Sequence, residues 1–291
     1  MKNSILSNTL FILGGVFALF LSSLGAIERC PWLDRDFEVN LRPSFLYQYY
    51  RIIDASPHVL HPRANDKFYT LSASLAALGI EGEVETTLAS TAYQRPALDN
   101  VCLAARYQFL TDVSGQDPVS LVCGALFIQA FRHSVRDPSS FHHGKCEGEL
   151  FVSLGKEKSW YDFWTTRVWG MLSLGTADKG SSWMRGEIFA EKNCPEKSQM
   201  KVFLRSLCGF GRHAFSSIKP FEGYGPLRHR SVDIGASYSR DLDGYGQLDI
   251  AYSYRVYARN FPRNAQSLLL RWTYSLSIMD VVGIVKKLQP S

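Results

Sequence analysis

Between Ser231 and Ser277 apolar and polar residues alternate along three consecutive stretches. Val232, Ile234, Ala236 and Tyr238 share one parity in the first stretch. Leu248, Ile250, Tyr252, Tyr254 and Val256 do so in the second, and Leu268, Leu270, Trp272, Tyr274 and Leu276 in the third. Side chains of a strand switch faces at each residue, so each stretch reads as a strand with one oily face and one small, polar or charged face. The Asp241-Leu242-Asp243-Gly244 turn suits a tight antiparallel hairpin. The same pattern, with varying clarity, runs through residues 36–51, 67–78, 80–91, 100–111, 119–131, 144–156, 160–174, 183–192 and 200–210. The predicted fold is therefore all-β, with about twelve antiparallel strands and a range of ten to fourteen. Many of them are longer than the roughly five to six residues of a typical globular strand.

Runs of about ten alternating residues are the mark of membrane-spanning barrel strands. The connections agree. With both termini in the periplasm, the outer loops are residues 52–66, 94–99, 132–143, 175–182, 211–230 and 258–263. The opposite turns are residue 79 and residues 112–118, 157–159, 193–199 and 242–244, which are mostly shorter. Aromatics gather near strand ends, at Trp160, Tyr161, Phe163 and Trp164, at Tyr252 and Tyr254, and at Tyr49 and Tyr50, as interfacial girdles require. A secreted β-sandwich also alternates, but strand length, loop asymmetry and girdles favour the transmembrane barrel.

The N-terminus differs from the rest. Lys2, the apolar and Gly stretch from Leu10 to Leu21 and the small residues around Gly25 and Ala26 read as a secretory signal peptide, too short in its apolar part to span a bilayer. The expected organisation is a signal peptide at 1–26, a periplasmic lead at 27–35, the barrel at 36–279 and a tail at 280–291. The net charge of +5 is spread thinly, which gives no support for nucleic-acid binding. Export places the six cysteines (Cys30, Cys102, Cys123, Cys146, Cys194 and Cys208) where disulfides persist. Cys30 and Cys194, both expected in periplasmic segments, are the favoured bridge formers, within the chain or to other envelope proteins.

The last strand, Leu270-Arg271-Trp272-Thr273-Tyr274-Ser275-Leu276, with the alternation upstream, resembles the Gram-negative outer-membrane β-barrels over the whole mature length. The class is porin-like. The six cysteines give a weaker similarity to chlamydial-type outer-membrane proteins. The resemblance implies outer-membrane location, lipid as surroundings and an aqueous or filled lumen.

Candidate chemistry is sparse. All seven histidines fall in or beside the long loops, no metal motif frames them, and no phosphate-binding glycine loop is present, so no cofactor is expected. His133-Ser134 invites comparison with outer-membrane lipid hydrolases, but it lacks their His-x-Ser-Asn-Gly type of pattern.

The inward face is more informative. It is expected to carry Arg42, Glu81, Glu83, Glu85, Arg106, Glu147, Glu149, Arg185, Lys201, Arg205, Asp233, Asp249, Arg255 and Arg271. The strands beginning near Ile80 and Gly144 supply Glu81, Glu83, Glu85, Glu147 and Glu149. Most bases come from the later strands and from Arg42, which predicts a field across the lumen. The alternative is that acids and bases pair and fill a narrow interior. The expected function is a narrow passive diffusion channel for small polar solutes. The alternatives are a structural or adhesive protein acting through the outer loops and, further off, a lipid hydrolase.

Overall fold

The computed structural model describes residues 29–278 except 56–57, 114, 116, 161–162, 196 and 219–220. The expected signal peptide and C-terminal tail lie outside the described residues. Alternation produces fourteen strands: β1 Glu38–Tyr50, β2 Ile52–Ile53, β3 Ala64–Ala77, β4 Ile80–Ser90, β5 Ala97–Leu110, β6 Ser120–Ala130, β7 Cys146–Trp160, β8 Phe163–Ala177, β9 Trp183–Cys194, β10 Ser198–Gly209, β11 Arg230–Asp241, β12 Gln247–Arg259, β13 Pro262–Arg263 and β14 Gln266–Ser277. A short helix, α1, spans Arg132–Val135 between β6 and β7. All strands except β2 and β13 form one closed antiparallel barrel of twelve, sealed where β1 pairs with β14 from Glu38↔Ser277 to Tyr49↔Gln266. Closure leaves no unpaired edge, the condition for crossing lipid with strands. β2 and β13 pair with each other in the loops.

The outward face is apolar. Ile80, Val84, Leu103, Leu150, Leu172, Ile188 and Val202 are all exposed, an arrangement that water would penalise and hydrocarbon does not. Trp160 and Phe163 mark the turn end, where they are 69 % and 73 % exposed. Tyr50 departs from the expected girdle: it is fully buried in the loop core, because its parity on β1 points inward. No helix among the described residues is long and apolar enough to cross a membrane.

Turn chemistry matches the local sequence. Leu78 and Gly79 join β3 to β4 with φ of 54° and 78°, the doubly positive geometry that follows the twist of a two-residue hairpin. The expected turn at 157–159 is instead strand. β7 runs to Trp160, because Glu157 faces inward to Arg167 (2.6 Å) while alternation continues outward. Charged residues that look like a turn in sequence are here the end of a long strand.

Residues 29–36 form the main departure. The expected periplasmic lead folds up into the barrel, where Trp32 is 7 % exposed and packs with Val122, Phe151, Trp169, Met171, Phe189 and Phe203. That largely aromatic wall comes from β6 to β10 and accounts for the nearly all-apolar sequence of β6: part of its inward face meets a packed segment rather than water.

Candidate functional site

The site is the lumen, with a segment below it and loops above. All fourteen sequence-predicted residues lie on the inward parity of their strands. The expected segregation of charge does not occur. Acids and bases pair between nearby strands: Glu81 with Arg106 (2.6 Å), Arg42 with Glu83 (3.4 Å), Asp233 with Arg255 (2.6 Å) and Asp249 with Arg271 (2.9 Å). Lys201 and Arg205 meet Glu191 (3.1 Å) and Glu187 (3.8 Å), two acids of β9 missing from the sequence-derived set. Their spacing of four keeps one parity, so the period-2 rule finds them once the phase of β9 is fixed. Glu149 takes Arg29 at 2.5 Å and Arg185 at 3.5 Å. In a narrow lumen each unpaired charge would carry a large desolvation cost, and cross-strand pairing offsets it. Glu85 is buried and inward on β4, opposite Ser72, and Glu147 belongs to the loop-end network below.

Residues 29–34 are held by polar contacts as well as by Trp32. The Trp32 indole Nε1 donates to Asp112 (3.1 Å), Arg167 lies 4.5 Å over its ring, and the Asp34 amide donates to Glu81 (2.9 Å). Arg106 donates to the Cys30 carbonyl (3.0 Å), Gln108 to that of Pro31 (3.1 Å), and Arg42 pairs with Asp34. Gly155 makes the seat: a Cβ there would lie 2.6 Å from Pro31 Cγ and 2.8 Å from Trp32.

None of the six cysteines forms a disulfide in this structure, and Cys30, expected with Cys194 to be a bridge former, sits among lumen side chains rather than in a periplasmic segment. The reason is that the lead folds inward. In single-cysteine variants, Cys30 is expected to react with a bulky polar maleimide at least about tenfold more slowly than Cys194, because modification needs an accessible thiolate. Equal rates would mean that the segment hangs free.

At the other end the loops cover the barrel. Tyr50, Ile53, Phe215, Phe221, Tyr224 and Phe261 form a buried core among them. Sequence reading treated the histidines as ordinary loop residues, yet His142, His143 and His229 are buried. His142 lies 3.0 Å from Asp99 and 3.3 Å from Glu147, His143 Nε2 lies 3.3 Å from His229 Nε2, and His143 stacks on Trp183 at 3.7 Å. Glu147 keeps the inward parity of β7 at the end of its loop, a weak signal, but Asp99 has the opposite parity to Arg106 and is turned inward by the β-bulge where β5 meets β4, which the alternation does not reveal. Among the described residues, no group of three or more His, Cys, Asp or Glu is arranged to hold a metal ion. His133 and Ser134 sit on α1 rather than on a lipid-facing strand, with Ser134 fully buried and His133 Nε2 2.9 Å from the Leu98 carbonyl.

Three loop groups give the cover a pH dependence. Burial lowers the His142 pKa, but Asp99 and Glu147 outweigh it and carry it to about 10. Burial raises the Asp137 carboxyl to about 7, and burial with neighbouring His143 lowers His229 to about 3. His142 therefore stabilises fully below its ordinary 6.5 and progressively less up to about 10; Asp137 acts likewise from 3.8 to about 7. His229 acts oppositely, losing its contribution as pH falls from 6.5 towards 3. Protease cleavage within residues 132–143 and 211–230 is thus expected to accelerate from pH 7 to 10. A flat profile there would remove His142 from the loop cover.

Between the two closures a cavity of about 210 Å³ remains, bounded by Arg29 from the segment, Phe141, His143 and Phe261 from the loops, and Arg185, Arg205 and Arg255 from the wall.

No protein-family model matches the sequence, and no curated protein does so either. Among solved structures the chain is similar to an outer-membrane channel from Pseudomonas putida F1, with 8 % identity and a TM-score of 0.62 over 87 % of this chain and 99 % of that one. It is also similar to the NanC porin, with 9 % identity and a TM-score of 0.54 over 82 % and 100 % of the two chains. At such identities the likeness is one of fold. The chain is a porin-like outer-membrane β-barrel in architecture, and the apolar outward belt and the fold together support an outer-membrane location.

Proposed function

We propose that the protein is a gated outer-membrane channel for small polar solutes rather than an enzyme, and that the state described here is closed. The observation that carries this reading is the polar inward face above a non-covalent stopper. The segment around Trp32 is held by hydrogen bonds, ion pairs and one aromatic seat, all of them reversible. The wall beside it suits water: Thr70 Oγ1 and Thr87 Oγ1, opposite one another on β3 and β4, are buried without a protein partner, and buried hydroxyls are seldom left unsatisfied where water can reach them. Two closures in series, segment and loop cover, would make passage conditional on both.

Planar-bilayer recording of the refolded full chain, native and Trp32→Ala, tests this between pH 5 and 9. Discrete conductance that rises in the variant and changes selectivity on charge reversal at Arg205 or Asp233 is expected. A correctly folded barrel silent in both forms would sink the channel reading.

A second reading is favoured by the cohesion of the loops, whose apolar core is a built surface rather than a set of loose connections. On that reading the barrel anchors a structural or adhesive face, and silence in bilayers combined with protease-resistant loops would support it.

A further inference from the structure

We infer that the lumen cavity is a binding site for one small organic oxyanion, a carboxylate or a phosphate, carried on a compact polar solute. This deepens, and rests on, the reading of the lumen as a solute path.

Three features of the cavity converge. The first is charge. Arg29, Arg185, Arg205 and Arg255 line it, and the carboxylates paired with them are three: Glu149 shared by Arg29 and Arg185, Glu187 with Arg205, and Asp233 with Arg255. Four guanidiniums thus share three carboxylates at the cavity wall, and the next acid along β7, Glu147, turns its carboxylate to His142 and to the His143 amide (2.7 Å). His143 also borders the cavity, but its Nε2 is taken up by His229.

The second is unused hydrogen-bonding capacity. Glu149 is already engaged, its Oε1 accepting from Arg29 (2.5 Å) and its Oε2 from Trp183 (3.2 Å), so Arg185 reaches that carboxylate only at 3.5 Å. Arg185 Nε is buried with no protein partner. Arg205 is half-exposed: its Nε stands 3.8 Å from Glu187, and its guanidinium carbon lies 4.4 Å from the centre of the Phe203 ring. A rigid guanidinium fork with free donors suits a planar carboxylate or a phosphate edge. An anion in the cavity would satisfy the unpartnered Arg185 Nε.

The third is size. A cavity of about 210 Å³ is on the scale of a single compact solute such as a sugar acid or a phosphate. Phe203, Leu207 and Leu269 add apolar lining to the same cavity, as ligand sites commonly have.

Calorimetric titration of the refolded full-length chain in detergent micelles tests the site, with sodium glucuronate, inorganic phosphate and glucose as probes. Saturable one-to-one binding of glucuronate or phosphate, weakened at least about tenfold by Arg185→Gln and less by Arg185→Lys, is expected, with no heat from glucose. Glucuronate bound alone identifies a carboxylate site, and phosphate alone a phosphate site. Lys67→Gln, on the outward face, should change nothing, and heat-modifiable gel migration checks that each variant folds. Binding of glucose as tight as that of the anions would overturn the inference, as would anion binding indifferent to Arg185 or no binding at all. Absent binding in a conducting barrel would overturn this site alone. Anion binding in a barrel that never conducts would uphold the site and overturn the channel.

Discussion

Replacing Trp32 by alanine is expected to release the N-terminal segment from the barrel, raising Cys30 alkylation by about two orders of magnitude and increasing bilayer conductance with it. Trp32 is the one large apolar side chain of the segment that is nearly enclosed, at 7 % exposure, by a wall of six apolar residues. Truncating a buried Trp costs roughly 3–5 kcal/mol, and about 1.4 kcal/mol is a factor of ten in an equilibrium. The remaining polar contacts, such as the Asp34 amide on Glu81, are each worth about 1 kcal/mol net and will not hold the segment alone. Gly155→Ala should reach the same state from the other side, since its methyl would occupy the space of Pro31 and Trp32. It would also press on Trp169 Cβ, 2.8 Å away, so its folding needs the gel-shift control. Unchanged Cys30 reactivity in both variants would show that the segment is part of the core and no gate.

The barrel was legible in the sequence because period-2 alternation is a direct image of a two-faced strand. Leu248, Ile250 and Tyr252 must face lipid if Asp249 and Ala251 face the lumen, and β12 does this as far as Arg255, beyond which a β-bulge against β11 shifts the phase. What could not be read was anything fixed by contacts between distant parts of the chain. Residues 29–36 carry no periodicity, and their seat is made by Gly155, Asp112 and Arg167, which meet only after closure. The pairing of charges failed for a related reason. Glu83 and Arg42 looked like members of opposed sets, but β1 and β4 flank β3, so the two side chains reach one another across it. Loop histidines were misread because burial in a loop depends on tertiary packing that composition does not encode.

The Glu81–Arg106 pair should behave as a coupled unit linking wall and segment. The two are register partners on β4 and β5, 2.6 Å apart, with side chains 1 % and 7 % exposed. Each also holds the segment: Glu81 accepts the Asp34 amide and Arg106 donates to the Cys30 carbonyl. Removing either partner leaves a buried charge uncompensated, so Glu81→Leu and Arg106→Leu are each expected to destabilise the barrel by roughly 3–5 kcal/mol in urea titrations. The double variant removes both charges together and should recover most of that loss, because an apolar pair of similar volume replaces a buried ion pair at little cost. Its segment should nevertheless loosen, since two of the hydrogen bonds that hold it are gone. Stability and Cys30 reactivity should therefore separate in the double variant: a near-native urea midpoint with faster alkylation. Additive single and double losses would show that the two residues act independently. A double variant with native Cys30 protection would place the hold on the segment in Trp32 and the contacts of Gln108 and Arg42 instead.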